Sequence, residues 1–258
     1  MIALDDAAWA APWRDVSVGQ KVLLSLGLVA TALTAPAWPT TILVAISAVT
    51  LALGLAKIPP RTLALAFTAP FAFILIGSIS VGIQLGESAN ALWQWWILSV
   101  SEQSIAAGLT VFARSVSATL SVLLLATTTP MVDLLAWFKK LGLPDVLVEV
   151  ASLTYRLLFV LLESFLTLHQ AQAARLGDAP VGRGARRRQL NNYATLIGSL
   201  MTRSWSRAER LSEGLEARGI DGGLVTLTRQ PAISVRWMIG TVSLLVAIWL
   251  VAAACVML

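Results

Sequence analysis

The sequence predicts an all-α polytopic membrane protein with about five transmembrane helices and a cytoplasmic helical module. Hydrophobic residues make up 57% of the 258 residues, and charged residues make up 13%, about half the share in an average globular protein. Several apolar runs approach the roughly 20 residues that cross a bilayer. Twelve arginines and no lysine lie between Arg156 and Arg236, so the last third of the chain differs in character from the apolar part before it.

Five apolar runs are predicted to span the membrane: residues 22–38, 41–56, 63–85, 104–127 and 235–258. The first two are short and nearly continuous at Trp38-Pro39, so one long kinked helix is an alternative to two spans. Asp5, Asp6 and Asp15 precede the first run, and no strongly positive segment leads into it. This pattern indicates that no signal peptide is removed.

The positions of the cations predict the orientation in the membrane. Basic residues lie between the second and third runs, after the fourth run and before the fifth, whereas segment 86–103 has only acidic charges. Because short segments rich in Lys and Arg stay in the cytoplasm, we predict an inside amino end, an outside carboxyl end and an external loop at 86–103. The acidic and interfacial aromatic residues of this loop are Glu87, Glu102, Trp93, Trp95 and Trp96.

A short helix is predicted directly after the fourth span. Pro130 disfavours helix at the residue before it and fits the first turn of a new helix. The new helix runs from about residue 130 to residue 140 and ends with two lysines, as the helix dipole favours. It is too short to cross a membrane, so we expect it to lie along the surface.

Two longer helices are predicted to follow, at about 145–174 and 185–217, separated by a glycine-rich break at 177–184. Apolar residues recur at helical spacing along the second of them, so one face is expected to pack, while its arginines occupy another face. These apolar residues are Leu190, Tyr193, Ile197, Leu200 or Met201, Ala208, Leu211 and Leu215, and the arginines are Arg203, Arg207 and Arg210.

Both long helices end with an arginine flanked by small or apolar residues. The two motifs are Ala174-Arg175-Leu176 and Ala217-Arg218-Gly219. Arginine in a last turn complements the helix dipole and glycine is a common C-cap, so either motif alone is explained by helix termination. Two copies outside one membrane body favour a repeated docking device, because helix ends bind in grooves of partner proteins and guanidinium groups bind carboxylates with defined geometry.

Several motifs carry a resemblance to a known family: Thr128-Thr129-Pro130, the stretch from Tyr155-Arg156 to Leu162-Glu163, Arg207-Ala208-Glu209-Arg210 and Glu216-Ala217-Arg218-Gly219. The segment from about Arg114 to Gly223 resembles the transmembrane T component of energy-coupling factor transporters, and most closely the cobalt-type CbiQ branch. In that family, two X-Arg-X motifs end the coupling helices, and each docks in a groove of one of two ATP-binding cassette ATPase subunits. The resemblance assigns these roles to the two motifs above, although Leu176 replaces the more usual Gly or Ser.

The resemblance implies a domain organisation and a function. Residues 1–129 would form four spans, 130–233 the cytoplasmic or interfacial module of coupling helices, and 234–258 the last span. The chain would be the non-catalytic coupling component of a cobalt importer that serves cobalamin biosynthesis in the bacterial inner membrane. Its partners would be two ATPase subunits, a substrate-binding membrane S component, a candidate small accessory membrane subunit, and membrane lipid.

Alternative functions are a T component for nickel, biotin or another vitamin, and a self-contained secondary permease. A permease should contain paired repeats and intramembrane carboxylates, and neither is evident. A basic anchor for lipid or nucleic acid is a further alternative, in which the identity of each arginine would matter little. Basic residues beside spans usually report topology and anionic lipid, so we expect no nucleic-acid partner.

The sequence predicts no catalytic, cofactor or metal site in this chain. It contains no G-x-x-x-x-G-K-[ST] loop, so another chain must supply nucleotide chemistry. His169 is the single histidine and Cys255 the single cysteine, which leaves no convincing set of metal ligands. Arg114 and Arg156 lie in apolar stretches, where a structural role, such as pairing of Arg156 with Glu163, is favoured over a role in transport.

Overall fold

The computed structural model describes residues 2–35, 37–85, 91–95, 98–175, 184–219 and 233–257. These residues fall into two compact units, Met1–Leu134 with Arg229–Leu258, and Leu135–Thr228. The predicted class of an all-α polytopic membrane protein is confirmed. Helices long and apolar enough to cross a bilayer cover Trp38–Leu55, Pro60–Gly82, Glu102–Thr128 and Val235–Cys255, and a shorter apolar helix covers Val18–Thr34.

The helices of the first unit are α1 (Ile2–Ala10), α2 (Val18–Thr34), α3 (Ala37–Thr50), α4 (Pro60–Gly82), α5 (Glu102–Thr128), the start of α6 (Met131–Lys140) and α9 (Val235–Met257). A 3₁₀ turn at Pro12–Asp15 follows α1, and a π turn at Leu51–Leu55 extends α3. α1 was not predicted from the sequence, because its nine residues are too few for a span and include two aspartates.

α2 and α3 are two helices, as the preferred count of apolar runs predicted. The backbone of Trp38 is non-helical, with φ −118° and ψ 131°, and α2 and α3 pack against each other. The break therefore begins at Ala35, the extended residue that follows α2, and includes Trp38, close to where the two apolar runs meet.

α5 is central to the first unit, because it contacts α1, α2, α3 and α4. The buried apolar core is formed by Trp13, Leu24, Leu28, Ala32, Val44, Ala52, Ala56, Ile58, Leu63, Leu124 and Ile248. Along α3 and the π turn that extends it, the buried residues Val44, Ala48, Ala52 and Ala56 recur at every fourth position. Small residues at this spacing allow membrane helices to approach closely.

The contact between α4 and α5 depends on small residues on both helices. The hydroxyl of Ser104 donates a hydrogen bond of 2.8 Å to the carbonyl of Gly82. A Cβ atom added at Gly108 would lie 2.8 Å from the Ser78 carbonyl oxygen and 3.3 Å from the Gly82 nitrogen. Ser78 and Gly82 are four residues apart, as are Ser104 and Gly108, which is the spacing of small residues at tight helix crossings in membranes.

A small antiparallel sheet connects α4 to α5, with strands β1 (Gln84–Leu85), β2 (Ala91–Trp95) and β3 (Leu98–Ser101) in the order β1-β3-β2. The sequence predicted an external loop at 86–103 without strands; β2 and β3 form in this segment, and the third span ends at Gly82 rather than at residue 85. Trp and Val favour strands, so the tryptophans expected to anchor this loop at the membrane interface also favour strand pairing.

The second unit contains α7 (Asp145–Ala174) and α8 (Ala185–Glu216), close to the predicted bounds, together with the end of α6. The amide of Gln172 on α7 donates a 3.2 Å hydrogen bond to the carbonyl of Asn192 on α8. The His169 ring stacks with Phe165 at 6.0 Å and with Tyr193 of α8 at 6.4 Å. The end of α7 therefore packs against the start of α8.

The predicted packing face of α8 is wrong in part. Leu196 is buried on this helix, whereas Leu190, Ile197 and Met201 are each more than 60% exposed. Periodicity identifies apolar positions on a helix, but it does not specify whether the same chain covers them. α7 covers only one side of α8, and the other apolar residues remain exposed.

Candidate functional site

The first predicted docking residue, Arg175, lies immediately after the last helical residue of α7. Its backbone N–H donates a 3.0 Å hydrogen bond to the carbonyl of Gln172, and its φ and ψ of −95° and 15° end the helix. Ala174 and Arg175 are both exposed. Leu176 lies outside the described residues.

The second motif, Ala217-Arg218-Gly219, closes α8 through three consecutive backbone hydrogen bonds. The N–H groups of Ala217, Arg218 and Gly219 donate to carbonyls of Glu213, Leu215 and Glu216 at 2.9, 3.1 and 2.9 Å. Gly219 has φ +64°, in the left-handed region where helices commonly end with glycine. All three residues are exposed, so the helix end and its arginine face outward from this unit.

The two arginines do not form a single site. Gln172, near the end of α7, contacts Asn192 on α8, and Arg218 lies 26 residues further along the same helix. At 1.5 Å per helical residue, the two ends are separated by about 40 Å. The unit therefore presents two separate guanidinium groups, each at the negative end of a helix dipole.

Neither guanidinium group is neutralised within the part of the chain that the structure describes. The ion pair seen there joins Lys139 to Asp145 at 3.2 Å, at the junction of α6 and α7. The exposed face of α8 also contains Met201 and Trp205, and the indole N–H of Trp205 donates a 3.0 Å hydrogen bond to Glu209. The arrangement is suited to binding another protein through charge and apolar contact.

The two arginines of the apolar stretches have different surroundings. Arg114 of α5 donates a 3.3 Å hydrogen bond to the carbonyl of Ala35, at the carboxyl end of α2, which supports a structural role because last-turn carbonyls lack partners within a helix. Arg156 and Glu163 are both exposed on α7. They form no ion pair among the described residues, so the suggested pairing between them is not observed.

The described residues include no group of three His, Cys, Asp or Glu side chains that could hold a metal ion. They therefore offer no arrangement that would bind a resident transition metal, since such sites require several converging N, S or O ligands. The absence of any cofactor in the whole protein remains a prediction.

Sequence reasoning missed a polar cluster at the start of α2. Lys21 is only 3% exposed, and its ammonium group donates a 3.0 Å hydrogen bond to the carbonyl of Thr128, the last residue of α5. Asp133 lies close enough to interact electrostatically with Lys21 and Arg14. Burial raises the pKa of the Asp133 carboxyl above its ordinary value, and the two positive charges oppose that rise. The signal available in the sequence was the presence of Gln20 and Lys21 directly before the first apolar run.

A family model described as cobalt transport protein, CbiQ, matches residues 10–231 of the chain. The chain belongs to the CbiQ family. The resemblance to the cobalt-type T components of energy-coupling factor transporters is thereby confirmed, and the CbiQ family is a family of membrane transport components.

Individual relatives agree with this assignment to the CbiQ family. The chain is 34% identical to the cobalt transport protein CbiQ of Rhodobacter capsulatus over 232 residues, which cover 90% of each chain. It is 29% identical to the energy-coupling factor transporter transmembrane protein EcfT of Acidaminococcus fermentans, with 68% of this chain and 67% of that protein covered. It is 26% identical to a putative fused cobalt transport protein CbiMQ of Methanocorpusculum labreanum, with 85% of this chain and 36% of that protein covered.

Proposed function

We propose that this chain is the coupling T component of an energy-coupling factor importer for cobalt ions in the bacterial inner membrane. As a non-catalytic subunit, it transmits ATP-driven motion from two ATPase subunits to a substrate-binding membrane S component. The observation that carries the proposal is the presence of two exposed arginines, Arg175 and Arg218, at the ends of two helices in one unit.

The distance between the arginines supports two docking events. About 40 Å of helix between them is suited to engaging two globular partners, whereas a single groove would require adjacent motifs. Each guanidinium group offers several N–H donors in a fixed plane to carboxylates or backbone carbonyls of a partner. The exposed apolar residues of α8, Ile197, Met201 and Trp205, provide further surface for assembly.

The proposed cargo follows from the names of the relatives. The relatives from Rhodobacter and Methanocorpusculum are named as cobalt transport proteins, and the second is a fusion of which this chain covers 36%, which supports a separate membrane partner here. The EcfT name specifies no cargo, so nickel, biotin or another vitamin is the alternative. We expect the assembled complex to take up Co²⁺ in preference to Ni²⁺ and biotin. Uptake of each labelled substrate in cells measures this preference, and transport of biotin alone would exclude the cobalt assignment.

The docking hypothesis is tested by the double substitution R175E/R218E. We expect it to reduce recovery of the ATPase subunits and uptake by about tenfold or more, because charge-assisted hydrogen bonds contribute roughly 1.5 to 3 kcal/mol each. Membrane insertion should be unchanged. The measurements are co-purification with a tagged chain and uptake in cells with equal protein levels.

The matched control is R186E/R187E, which changes two exposed arginines in the first turn of α8. It changes the net charge by the same amount but leaves the carboxyl ends of α7 and α8 unaltered. We expect this control to retain assembly and uptake. Equal losses in both double variants would show that the module acts through its overall charge, and the docking hypothesis would fail.

A further inference from the structure

Gln20 and Lys21 are adjacent residues at the start of α2. They contact the two places where the chain leaves and re-enters the membrane helices, which are the end of α5 and the start of α9. The ammonium group of Lys21 donates to the Thr128 carbonyl at the end of α5. The amide of Gln20 donates a 2.7 Å hydrogen bond to the Ser234 carbonyl, and the Ser234 N–H donates a 3.4 Å bond back to Gln20. Ser234 directly precedes α9.

These contacts satisfy backbone groups that helices leave unpaired at their ends. The Thr128 carbonyl lies in the last turn of α5, where no further helical N–H is available to bond it, and a lysine there also complements the helix dipole. Gln20 and Lys21 are both buried. Burying an ammonium group without hydrogen-bond partners costs free energy. The bond to Thr128 therefore stabilises Lys21 in its buried position.

Further contacts support the same region. Ser25 lies one helical turn after Lys21 on α2, and its hydroxyl donates a hydrogen bond to the Ser121 carbonyl of α5. The rings of Trp13 and Trp237 meet edge to face with 5.3 Å between their centroids. The amino-terminal segment thus contacts both the end of α5 and the start of α9.

These contacts lie close in sequence to both ends of the second unit. The second unit, Leu135–Thr228, begins within α6 and ends before α9 in the sequence. We propose that Gln20 and Lys21 are positioning residues that fix both chain connections to this unit, so that its movement shifts α2, α5 and α9 together. This proposal rests on the coupling function proposed above.

The test uses Lys21→Met and Gln20→Leu, which keep side-chain size but remove the hydrogen-bonding groups. In the full-length chain in lipid nanodiscs, hydrogen exchange should rise by about tenfold or more at Thr129, Asp133 and Leu134 for Lys21→Met, and at Met238 for Gln20→Leu. Their backbone N–H groups bond next to the two contacts. The Ala56 amide, which donates to the Leu51 carbonyl in the π turn after α3, serves as the internal reference and should not change.

The second measurement uses the complex assembled with its ATPases. Both variants should keep ATP hydrolysis but transport several-fold less substrate per ATP hydrolysed. Lys21→Arg, which retains a cationic donor, should restore part of the loss. Lys140→Met and Gln103→Leu, at exposed positions, are the matched controls and should behave as the natural chain.

Each outcome decides a separate point. Unchanged exchange at these amides, or raised exchange with unchanged transport per ATP, would overturn the positioning role. A parallel fall in hydrolysis and transport would also overturn it, because that result indicates general damage to the complex. If the natural chain recruits no ATPase, the proposed function fails, whereas the exchange comparison still decides whether Gln20 and Lys21 hold both connections.

Discussion

Gly219 follows Arg218 at the end of α8 and has a backbone conformation that favours glycine. Its φ of +64° lies in the left-handed region, which costs a residue with a Cβ atom roughly 1 to 2 kcal/mol. No atom lies within 4 Å of the position where a Cβ would be placed, so the penalty for a side chain there arises from the backbone alone.

We therefore expect Gly219→Ala to destabilise the end of α8 by about 1 kcal/mol and to weaken recovery of the ATPase subunits. Gly214→Ala, within α8 and also in open space, is the control, because alanine favours helix over glycine. Co-purification and hydrogen exchange at the Arg218 amide measure the two effects. A stronger effect of Gly214→Ala would contradict the assigned role of the helix end.

The positions of the two arginines could be predicted from the sequence, because an arginine near a glycine at the end of an amphipathic stretch is a local pattern. Whether the apolar residues of α8 are buried or exposed could not be predicted from the sequence. Leu190, Ile197 and Met201 follow the same periodicity as residues that pack, and they are exposed because α7 covers a different side. Which neighbour covers an apolar residue is a property of the assembled structure.

At the scale of elements, the α4–α5 pair is a crossing at which a glycine lies directly against the backbone of the neighbouring helix. The Cβ of an alanine at Gly108 would approach backbone atoms of Ser78 and Gly82, and backbone atoms cannot move aside without separating the helices. Because the lipid tails are as apolar as the helix surfaces, close packing is a main source of association in the membrane.

We expect Gly108→Ala to reduce stability by about 1 to 3 kcal/mol, the usual cost of overpacking. Gly77→Ala on α4 is the control, since its Cβ would meet nothing within 4 Å. Thermal unfolding in detergent, followed by the loss of soluble protein, measures both variants. Equal midpoints for the two would show that the crossing has room for a methyl group.

The lengths of the apolar runs predicted α2, α3, α4, α5 and α9 to within a few residues, because the bilayer thickness sets the length of spanning helices. The strands β2 and β3 were not predicted. Their pairing joins Trp95 to Leu98 and Gln94 to Ser99, a short-range contact in a segment whose tryptophans also fit a membrane interface. Both preferences act on the same residues, so composition alone could not separate them.

At the scale of the whole molecule, the contacts of Gln20 and Lys21 bring the start of α2, the end of α5 and the start of α9 to one side of the first unit. This arrangement agrees with the order of spans that the cations predicted. Because segments rich in Lys and Arg stay in the cytoplasm, we expect that side to face the cytoplasm.

We expect an inside amino end and an outside carboxyl end, measured with reporter fusions at Leu258 and at Arg188. The fusion at Arg188 should report a cytoplasmic position, because this residue lies among the arginines of α8, and the fusion at Leu258 should report the opposite side. A cytoplasmic report from both positions would show that α9, the apolar helix between them, does not cross the membrane, and would contradict the predicted outside carboxyl end.

The adjacency of Gln20 and Lys21 in the sequence has a consequence for how such a chain can be divided. Consecutive residues lie only 3.8 Å apart at their Cα atoms, so the ends of the membrane bundle that they contact are near neighbours. Segments whose two ends emerge close together behave as insertions, which can be removed or exchanged with little cost to the host fold. We therefore expect the second unit, Leu135–Thr228, to be exchangeable, so that the corresponding units of related chains can be joined to this bundle through short linkers.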